Sequence, residues 1–316
     1  MRHINILFWG GAKRVSMARH FKRAALSRGC EARIFSYEII RDVPIACEGE
    51  VIMGLKFGDP ALLDDLHRVC CEHDIDIIIP FIDGSVPVAA EYARRWPGTV
   101  FVPTGTPETA AQMFDKIGCA VLFENAGLPV PRTWTGGEIG FPLIAKPRHG
   151  SASQGIVTID CNDDLRHIDN PDDYLIQERI DHRQEITVDC YVSLINGKVC
   201  AAVPRTRDAV AGGEVVRTTV IHWDEATALV ERTLKALNLR GAVTVQLIHD
   251  LDTGRLFIME INPRLGGGAV AAVHAGADLP AMILAEAAGE PAQVCSAWRN
   301  MVVARYLDEV CFELPD

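Results

Sequence analysis

The densest chemistry in the chain lies in "LFIMEINPRLGGG", residues 256–268. Apolar residues open the stretch. Glu260, Asn262 and Arg264 then fall on every second position, and three glycines follow. In a strand, i, i+2 and i+4 share one face, so a carboxylate, an amide and a guanidinium would point the same way. A carboxylate at the mouth of an apolar strand is costly unless it is paired or holds a metal. Gln246, near the end of the preceding apolar run, can face the Glu-x-Asn pair across a hairpin that turns at "DLDTG". Three oxygen-bearing side chains suit a hard divalent cation whose shell is completed by phosphate oxygens. The plainer alternative is a Glu260–Arg264 ion pair at a strand end.

Other residues could handle the phosphates. Lys146 ends the apolar run "FPLIAKP", and Lys116 opens a helix after Asp115. Lysine acts on phosphate as a compact point charge, although a single lysine is usually a solvated surface group. After Lys146 comes a small-residue loop, "GSASQG", in which Ser151, Ser153 and Gly155 offer hydroxyl and backbone donors. It is no Walker loop, and alone it would read as a hairpin connection. Gln177, Glu178, Arg179 and Ile180 could present hinge backbone groups to an adenine edge, with Glu185 accepting ribose hydroxyls. An exposed charged connector is the plainer reading of that segment. Arg205, Arg207 and Arg217 surround a glycine turn; either of the first two could hold a substrate carboxylate, and solvated strand charges account for them equally well. Asp83, Gly84 and Ser85 end a strand and could face the same cleft, with Asp83 on an amino group.

The elements that must position these groups follow from the apolar periodicity. Up to about residue 104, buried-type strands ("INILFW", "EARIFSY", "IDIIIPFID") alternate with amphipathic helices ("RVSMARHFKRAALSRG", "DPALLDDLHRVCCEHD", "SVPVAAEYARRW"). That alternation implies a parallel, doubly wound sheet whose ligands sit beyond the carboxyl ends of the strands. Gly29 closes the first helix and Asp59 is a cap candidate for the second. A connector leads to a helix over about 115–126, ended by Gly127. The period then becomes that of antiparallel strands, with a hairpin at Asn196-Gly197, a helix with Asp224 as a plausible cap, the hairpin of Gln246 and Glu260, and a closing helix, "LPAMILAEAAGE". The fold class is thus α/β followed by α+β.

Composition limits the partners. The 316 residues are 48% hydrophobic and 23% charged, with a net charge of -11. An acidic surface argues against nucleic acid, and no apolar run is long enough to span a bilayer. "MRHINILFWGG" reads as a first strand, not a signal peptide. Ten cysteines without a CxxC read as reduced, mostly buried thiols of a cytoplasmic protein.

Taken in order, "DK" at 115–116, "LIAKP" at 143–147 with its Gly/Ser loop, "LIQERI" at 175–180, "QEITVD", "VTVQL" and "FIMEINPRLGG" resemble the ATP-grasp superfamily. The branch is similar to the carbamoyl-phosphate-synthetase-like carboxylate–amine ligases, in a short single-copy form. The resemblance implies a pre-ATP-grasp Rossmann-like domain over 1–104 and a two-subdomain ATP-grasp fold. Its subdomains would cover 105–180, with the loop and adenine hinge, and 181–316, with the metal and substrate sites. It implies ATP with Mg²⁺ or Mn²⁺, two ions, held by Gln246, Glu260 and Asn262. Lys116 and Lys146 would hold phosphates. Arg264, Gly266 and Gly267 would face the carboxylate and acyl-phosphate oxygens. Gln154 stands where many members carry a basic residue, which leaves more of the charge to Arg264 and the metal. The implied chemistry is activation of a carboxylate as an acyl phosphate and its capture by an amine, on small-molecule substrates; a homodimer is common for the architecture. Phosphoryl transfer, acid–thiol ligation and a non-catalytic nucleotide-binding protein are alternatives on the same fold. A nicotinamide-binding unit with Glu38 on the ribose is another, against which "WGGAKRVS" lacks GxGxxG spacing.

Overall fold

The structure is a computed structural model and describes residues 2–134, 140–150 and 154–313. The chain begins with β1 (Arg2–Trp9), α1 (Val15–Ser27), β2 (Cys30–Glu38), β3 (Glu50–Met53), α2 (Leu62–Glu72), β4 (Ile77–Pro80) and α3 (Ser85–Arg95). The strands are parallel in the order β3-β2-β1-β4. Ile6, Leu7 and Phe8 are fully buried, as expected of a strand covered on both faces. Gly29, at φ +72°, ends α1 in the left-handed region. Asp59 does not cap α2: its carboxylate accepts from the Ala61 amide at 2.9 Å and closes a turn before the helix begins at Leu62. The edge strand β3 is short and only partly buried, so its apolar pattern is weak.

Residues read as a connector form a helix, α4 (Pro107–Phe114). Thr106 caps it by accepting from the Thr109 amide, and Pro107 takes the first turn, where a missing N–H costs nothing. α5 (Lys116–Asn125) follows at once, with Asp115 Oδ1 accepting from Ile117 and Gly118 at 3.1 Å each. Next come β5 (Leu143–Pro147), β6 (Val157–Ile159), α6 (Asn162–Leu165) and β7 (Tyr174–Glu178). They make a small antiparallel sheet in the order β6-β5-β7.

The remaining elements are β8 (Arg183–Val192), β9 (Val199–Thr206), β10 (Ala209–Ala211), β11 (Glu214–Val220), α7 (Asp224–Ala236), β12 (Gly241–Asp250), β13 (Leu256–Asn262), α8 (Val270–Ala275), α9 (Leu279–Ala287) and β14 (Met301–Ala304). The large sheet runs β10-β11-β9-β8-β12-β13, with β14 on β11. Asp224 is not the cap of α7 but its first helical residue, where its charge still favours the positive helix end. One face of the sheet buries Ile186, Val188, Val243, Val245 and Leu247 in a core with Leu229, Val230 and Leu234 of α7.

The opposite face changes character along its strands. Tyr191, Ala201, Val203 and Ala242 join an apolar core shared with Ile6 and Phe8 of β1, Phe21 of α1 and Met282 of α9. Further along the same strands, that face carries Asp189, Thr187 and Glu185 on β8, Arg205 on β9, and Thr244 and Gln246 on β12. The apolar half thus docks the sheet against the first domain, and the polar half is left to line a cleft. At the outer end of the apolar half, Gly241 at φ +79° lets the chain cross Pro103: a Cβ there would stand 2.3 Å from the Pro103 carbonyl oxygen. All ten cysteines are unpaired; Cys70, Cys119, Cys190 and Cys200 are buried, but Cys47, Cys71, Cys161 and Cys311 are exposed, more than the sequence suggested. Among the described residues no helix is long and apolar enough to cross a membrane.

Candidate active site

A cleft of about 1250 Å³ is lined by strands of the two antiparallel sheets and by connections and helix residues of the first domain. Strand register builds its floor. Thr187 stands opposite both Arg205 and Gln246, and Gln246 stands opposite Glu260. In the next row Asp189, Thr244 and Asn262 are aligned across three strands. Side chains directly opposite one another point to the same face, so the Gln246, Glu260 and Asn262 set expected from sequence is brought together. A bulge at Met259 makes this work. Leu247 pairs with Ile258 while Gln246 pairs with Glu260, so Met259 is the extra residue. It lets Leu256, Ile258 and Ile261 enter the core while Glu260 and Asn262 face the cleft. Asn262 Nδ2 donates to Glu260 Oε1 at 2.6 Å, which leaves Asn262 Oδ1 as the free ligand atom. Glu260 is not paired with Arg264, as the plainer reading of the strand would have it; that guanidinium goes elsewhere.

The two lysines lie at the small-sheet end. Lys146 lines the cleft from β5, and its Nζ donates to Gln177 Oε1 at 3.2 Å. Burial pulls its pKa down to about 8; Glu260 opposes this, and Arg183 and Lys116 add to it. Lys116, in the first turn of α5, donates to the Gly150 carbonyl at 2.6 Å. Of the loop beyond, Ser151 and Ser153 lie outside the described residues, Gln154 lines the cleft, and Gly155 at φ +71° packs on Pro147.

The hinge residues are more committed than their sequence suggested. Gln177 is buried and donates to the Pro131 carbonyl, so it supports Lys146. The Glu178 and Arg179 amides donate to Arg132 and Pro142 carbonyls at 2.9 Å each. Their side chains are occupied by Arg132, and by Asp160 and Asp181. The Ile180 amide has no partner among the described residues and lines the cleft beside them. Glu185 also lines the cleft, 3.3 Å from Arg207 Nε.

At the other end, Arg264 Nε donates to Asp83 Oδ1 at 2.5 Å, joining the end of β13 to the end of β4 across 181 residues of sequence. Asp83 therefore lines the cleft already engaged. Ser85 does not reach it: the side chain is fully buried and donates to the Ile82 carbonyl at 2.6 Å. Arg205 is buried beneath the glycine turn on Asp189, with Nε to Oδ2 at 2.7 Å. Gly266, Gly267 and Gly268 allow that approach; a Cβ on Gly268 would stand 2.8 Å from Arg205. Arg217 lies off the cleft on Asp208. Sequence reasoning missed Arg14, Thr187, Asp189 and Glu214, which line or support the floor; only the position of Arg14 after the first strand could have marked it. Glu38 is buried, accepts from Ser36 Oγ at 2.7 Å and turns to the Gly11 and Ala12 amides, so it closes the β1–α1 turn rather than presenting itself to a ribose. Burial raises its pKa.

Two antiparallel sheets enclosing a lysine- and carboxylate-lined cleft, behind a parallel-sheet domain, define the chain as carrying the ATP-grasp fold. Residues 170–310 match the sequence model of a family described as "ATP-grasp in the biosynthetic pathway with Ter operon". Among solved structures, the chain is similar to the biotin carboxylase domain dimer of Hydrogenobacter thermophilus 2-oxoglutarate carboxylase, in complex with MgADP, ADP and bicarbonate. The TM-score is 0.75 at 17% identity, covering 94% of this chain and 73% of that one. Similarity to the ADP complex of N5-carboxyaminoimidazole synthetase from Staphylococcus aureus has a TM-score of 0.74 at 17% identity, over 97% and 83% of the two chains. A carbamoyl phosphate synthase large chain from Deinococcus radiodurans is 24% identical over 234 residues, 66% of this chain and 22% of that protein. Acetyl-CoA carboxylase 2 of Oryza sativa subsp. japonica is 23% identical over 219 residues, 53% of this chain and 9% of that protein. The chain thus spans less than a quarter of the length of either curated relative.

Proposed function

We propose that the chain is an ATP- and Mg²⁺-dependent ligase that activates a carboxylate as an acyl phosphate and joins it to an amine, releasing ADP and phosphate. The observation that carries this reading is the convergence of Lys146, Gln246, Glu260 and Asn262 in one cleft that ends at Arg264. In this reading residues 1–104 form the preceding domain, and 105–180 and 181–316 hold ATP between them. A homodimer and a cytoplasmic location belong to the same proposal.

The donor set fits a divalent ion. One carboxylate and two amide oxygens carry a single negative charge and fill only part of a six-oxygen shell, so triphosphate oxygens are needed to complete it. Mn²⁺ would fit the same donors, and a second ion would share the carboxylate and the phosphates. When bound, the metal neutralises phosphate charge and polarises the transferred group.

The chain's own part is positioning and charge neutralisation. Lys116 and Lys146 hold phosphate oxygens, the Ile180 amide and neighbouring carbonyls read the adenine edge, and Glu185 accepts ribose hydroxyls. Water must be kept from this end of the cleft, which Gln154 lines, because it would hydrolyse an acyl phosphate. A carboxylate oxygen attacks the γ-phosphorus and ADP leaves. Arg264 and the Gly266 and Gly267 amides then face the oxygens of the acyl phosphate. An amine attacks the acyl carbon, inorganic phosphate leaves, and the amine loses its proton. Asp83, Arg205 and Arg207 line the side from which the acid and amine approach.

Purified protein with Mg²⁺, ATP and a matrix of acids and amines should form ADP and phosphate with the correct pair. Products AMP and pyrophosphate would reject the acyl-phosphate route. Glu260→Gln should lower turnover by at least ~100-fold while the circular dichroism spectrum and melting temperature hold. Unchanged turnover would remove Glu260 from the site.

A further inference from the structure

Beneath the glycine turn, the floor holds more unsatisfied donors than a finished structural network would keep. Arg205 is 3% exposed; Nε and Nη2 reach Asp189 at 2.7 and 3.4 Å, and Nη1 is buried with no partner. Arg14 arrives from the turn after β1, and Nη1 donates to Glu214 Oε1 at 3.2 Å. Its Nε is buried and unpartnered as well. Both guanidiniums press on the same turn: a Cβ on Gly267 would stand 3.2 Å from Arg14 Nη1, and one on Gly268 2.8 Å from Arg205 Nη1. Between Arg205 and Gln246 in the cross-strand row stands Thr187, 1% exposed, whose hydroxyl also has no partner. Buried donors left unpaired are costly, so three of them along one cleft floor call for an acceptor.

The charges agree. Arg14, Arg205, Arg264 and Arg305 share three carboxylates, Asp83, Asp189 and Glu214, because Arg14 and Arg305 both bind Glu214. By direct ion pairs four guanidiniums thus meet three carboxylates, with Glu38 adding a longer-range negative charge beside Arg14. A planar fork of N–H donors is the group best suited to a carboxylate or phosphate.

We propose that Arg14 and Arg205, with Thr187, form a second anion subsite, and that the acid substrate carries a second oxyanion, a carboxylate or a phosphate, remote from the carboxylate that is activated. Arg205 and Gln246 are two strands apart, ~10 Å at ordinary strand spacing, so one small molecule can reach from the metal end of the floor to this subsite. Arg14 makes the first domain a contributor to substrate choice. The inference rests on the ligase reading only in calling the bound acid a substrate.

Calorimetric titration of the full chain, saturated with MgADP, tests it with glutarate, 4-phosphonobutyrate and butyrate. These differ in whether the far end is a carboxylate, a phosphonate or a methyl group. At least one dianion should bind ~10-fold or more tighter than butyrate, and the preferred one identifies the second group. Arg14→Gln should weaken that dianion by ~10- to 100-fold and leave butyrate unchanged, with Arg14→Lys between wild type and Gln. Arg14 is the residue to change because Arg205→Met would strand Asp189 in the interior. Equal affinities for the three acids, or a preference that survives Arg14→Gln, would overturn the proposal. Dianion selectivity without ADP formation from any acid–amine pair would reject the ligase and keep the subsite. ADP formation from an acid–amine pair, with glutarate, 4-phosphonobutyrate and butyrate bound alike, would do the reverse.

Discussion

Lys146 offers the sharpest test of the phosphate end. Burial holds its pKa at about 8 against an ordinary 10.5, a difference of ~3 kcal/mol in favour of the neutral amine. As pH rises, the folded chain therefore loses this proton before the unfolded chain does. Below about pH 8 both states keep it, and the cost of the buried charge is fully present. That cost is relieved between about 8 and 10.5, so this residue makes stability rise with pH across that window. Triphosphate reverses the bias by supplying negative charge to the ammonium. At pH 9 about nine-tenths of the free protein has a neutral Lys146, against about one-tenth at pH 7. Nucleotide binding should accordingly take up ~0.9 proton at pH 9 and ~0.1 at pH 7 through this residue. Calorimetry of MgATP binding in two buffers of different ionisation enthalpy reads that number directly. Lys146→Met should abolish the uptake and weaken binding by ~10- to 100-fold at pH 7. Uptake at pH 9 no greater than at pH 7, or uptake that persists in Lys146→Met, would refute both the shifted amine and its phosphate contact.

Two further variants address the scaffold. Glu286 is 4% exposed and accepts from Tyr191 Oη at 2.8 Å, the Leu194 amide at 2.9 Å and Ser193 Oγ, so Glu286→Leu strands three buried donors. Urea denaturation should show a loss of ~3 kcal/mol or more, with Glu286→Gln losing less; a loss below ~1 kcal/mol would show that the donors find water. Gly241→Ala combines a left-handed backbone with a Cβ 2.3 Å from the Pro103 carbonyl oxygen, and should cost at least ~3 kcal/mol or abolish soluble expression. A fully stable Gly241→Ala protein would mean that the 103–104 crossing gives way freely.

Much of the architecture was legible because apolar runs and turn residues are local signals. The strand–helix alternation before residue 104, the hairpin at Gly197 and the β12–β13 hairpin follow from sequence periods and appear where those periods fall. α4 was hidden because Pro103, Gly105 and Pro107 read as connector residues; its capping Thr106 was the overlooked signal. β10, β14 and α8 are too short to show a period. Within the site, Gln246, Glu260 and Asn262 could be read because one hairpin holds them. The partners of the guanidiniums could not: Arg264 meets Asp83 across 181 residues and Arg14 meets Glu214 across 200. No window of sequence contains such pairs; packing of the first domain on the large sheet creates them.

The extra residue at Met259 also sets a rule of parity for this protein. Counting by twos from Leu256 along an unbroken strand would send Glu260 into the apolar layer and Ile261 into solvent. The bulge absorbs the inserted residue, and the strand's two ends then answer to different masters: hydrocarbon at Leu256, the polar cleft at Glu260. Deleting Met259 would restore strict alternation with Ile258 in the core and Glu260 toward the cleft, whereas straightening the bulge with Met259 kept would exchange the layers. A gap in this strand therefore belongs at Met259, where one residue can be lost or gained without moving Glu260 off the cleft face.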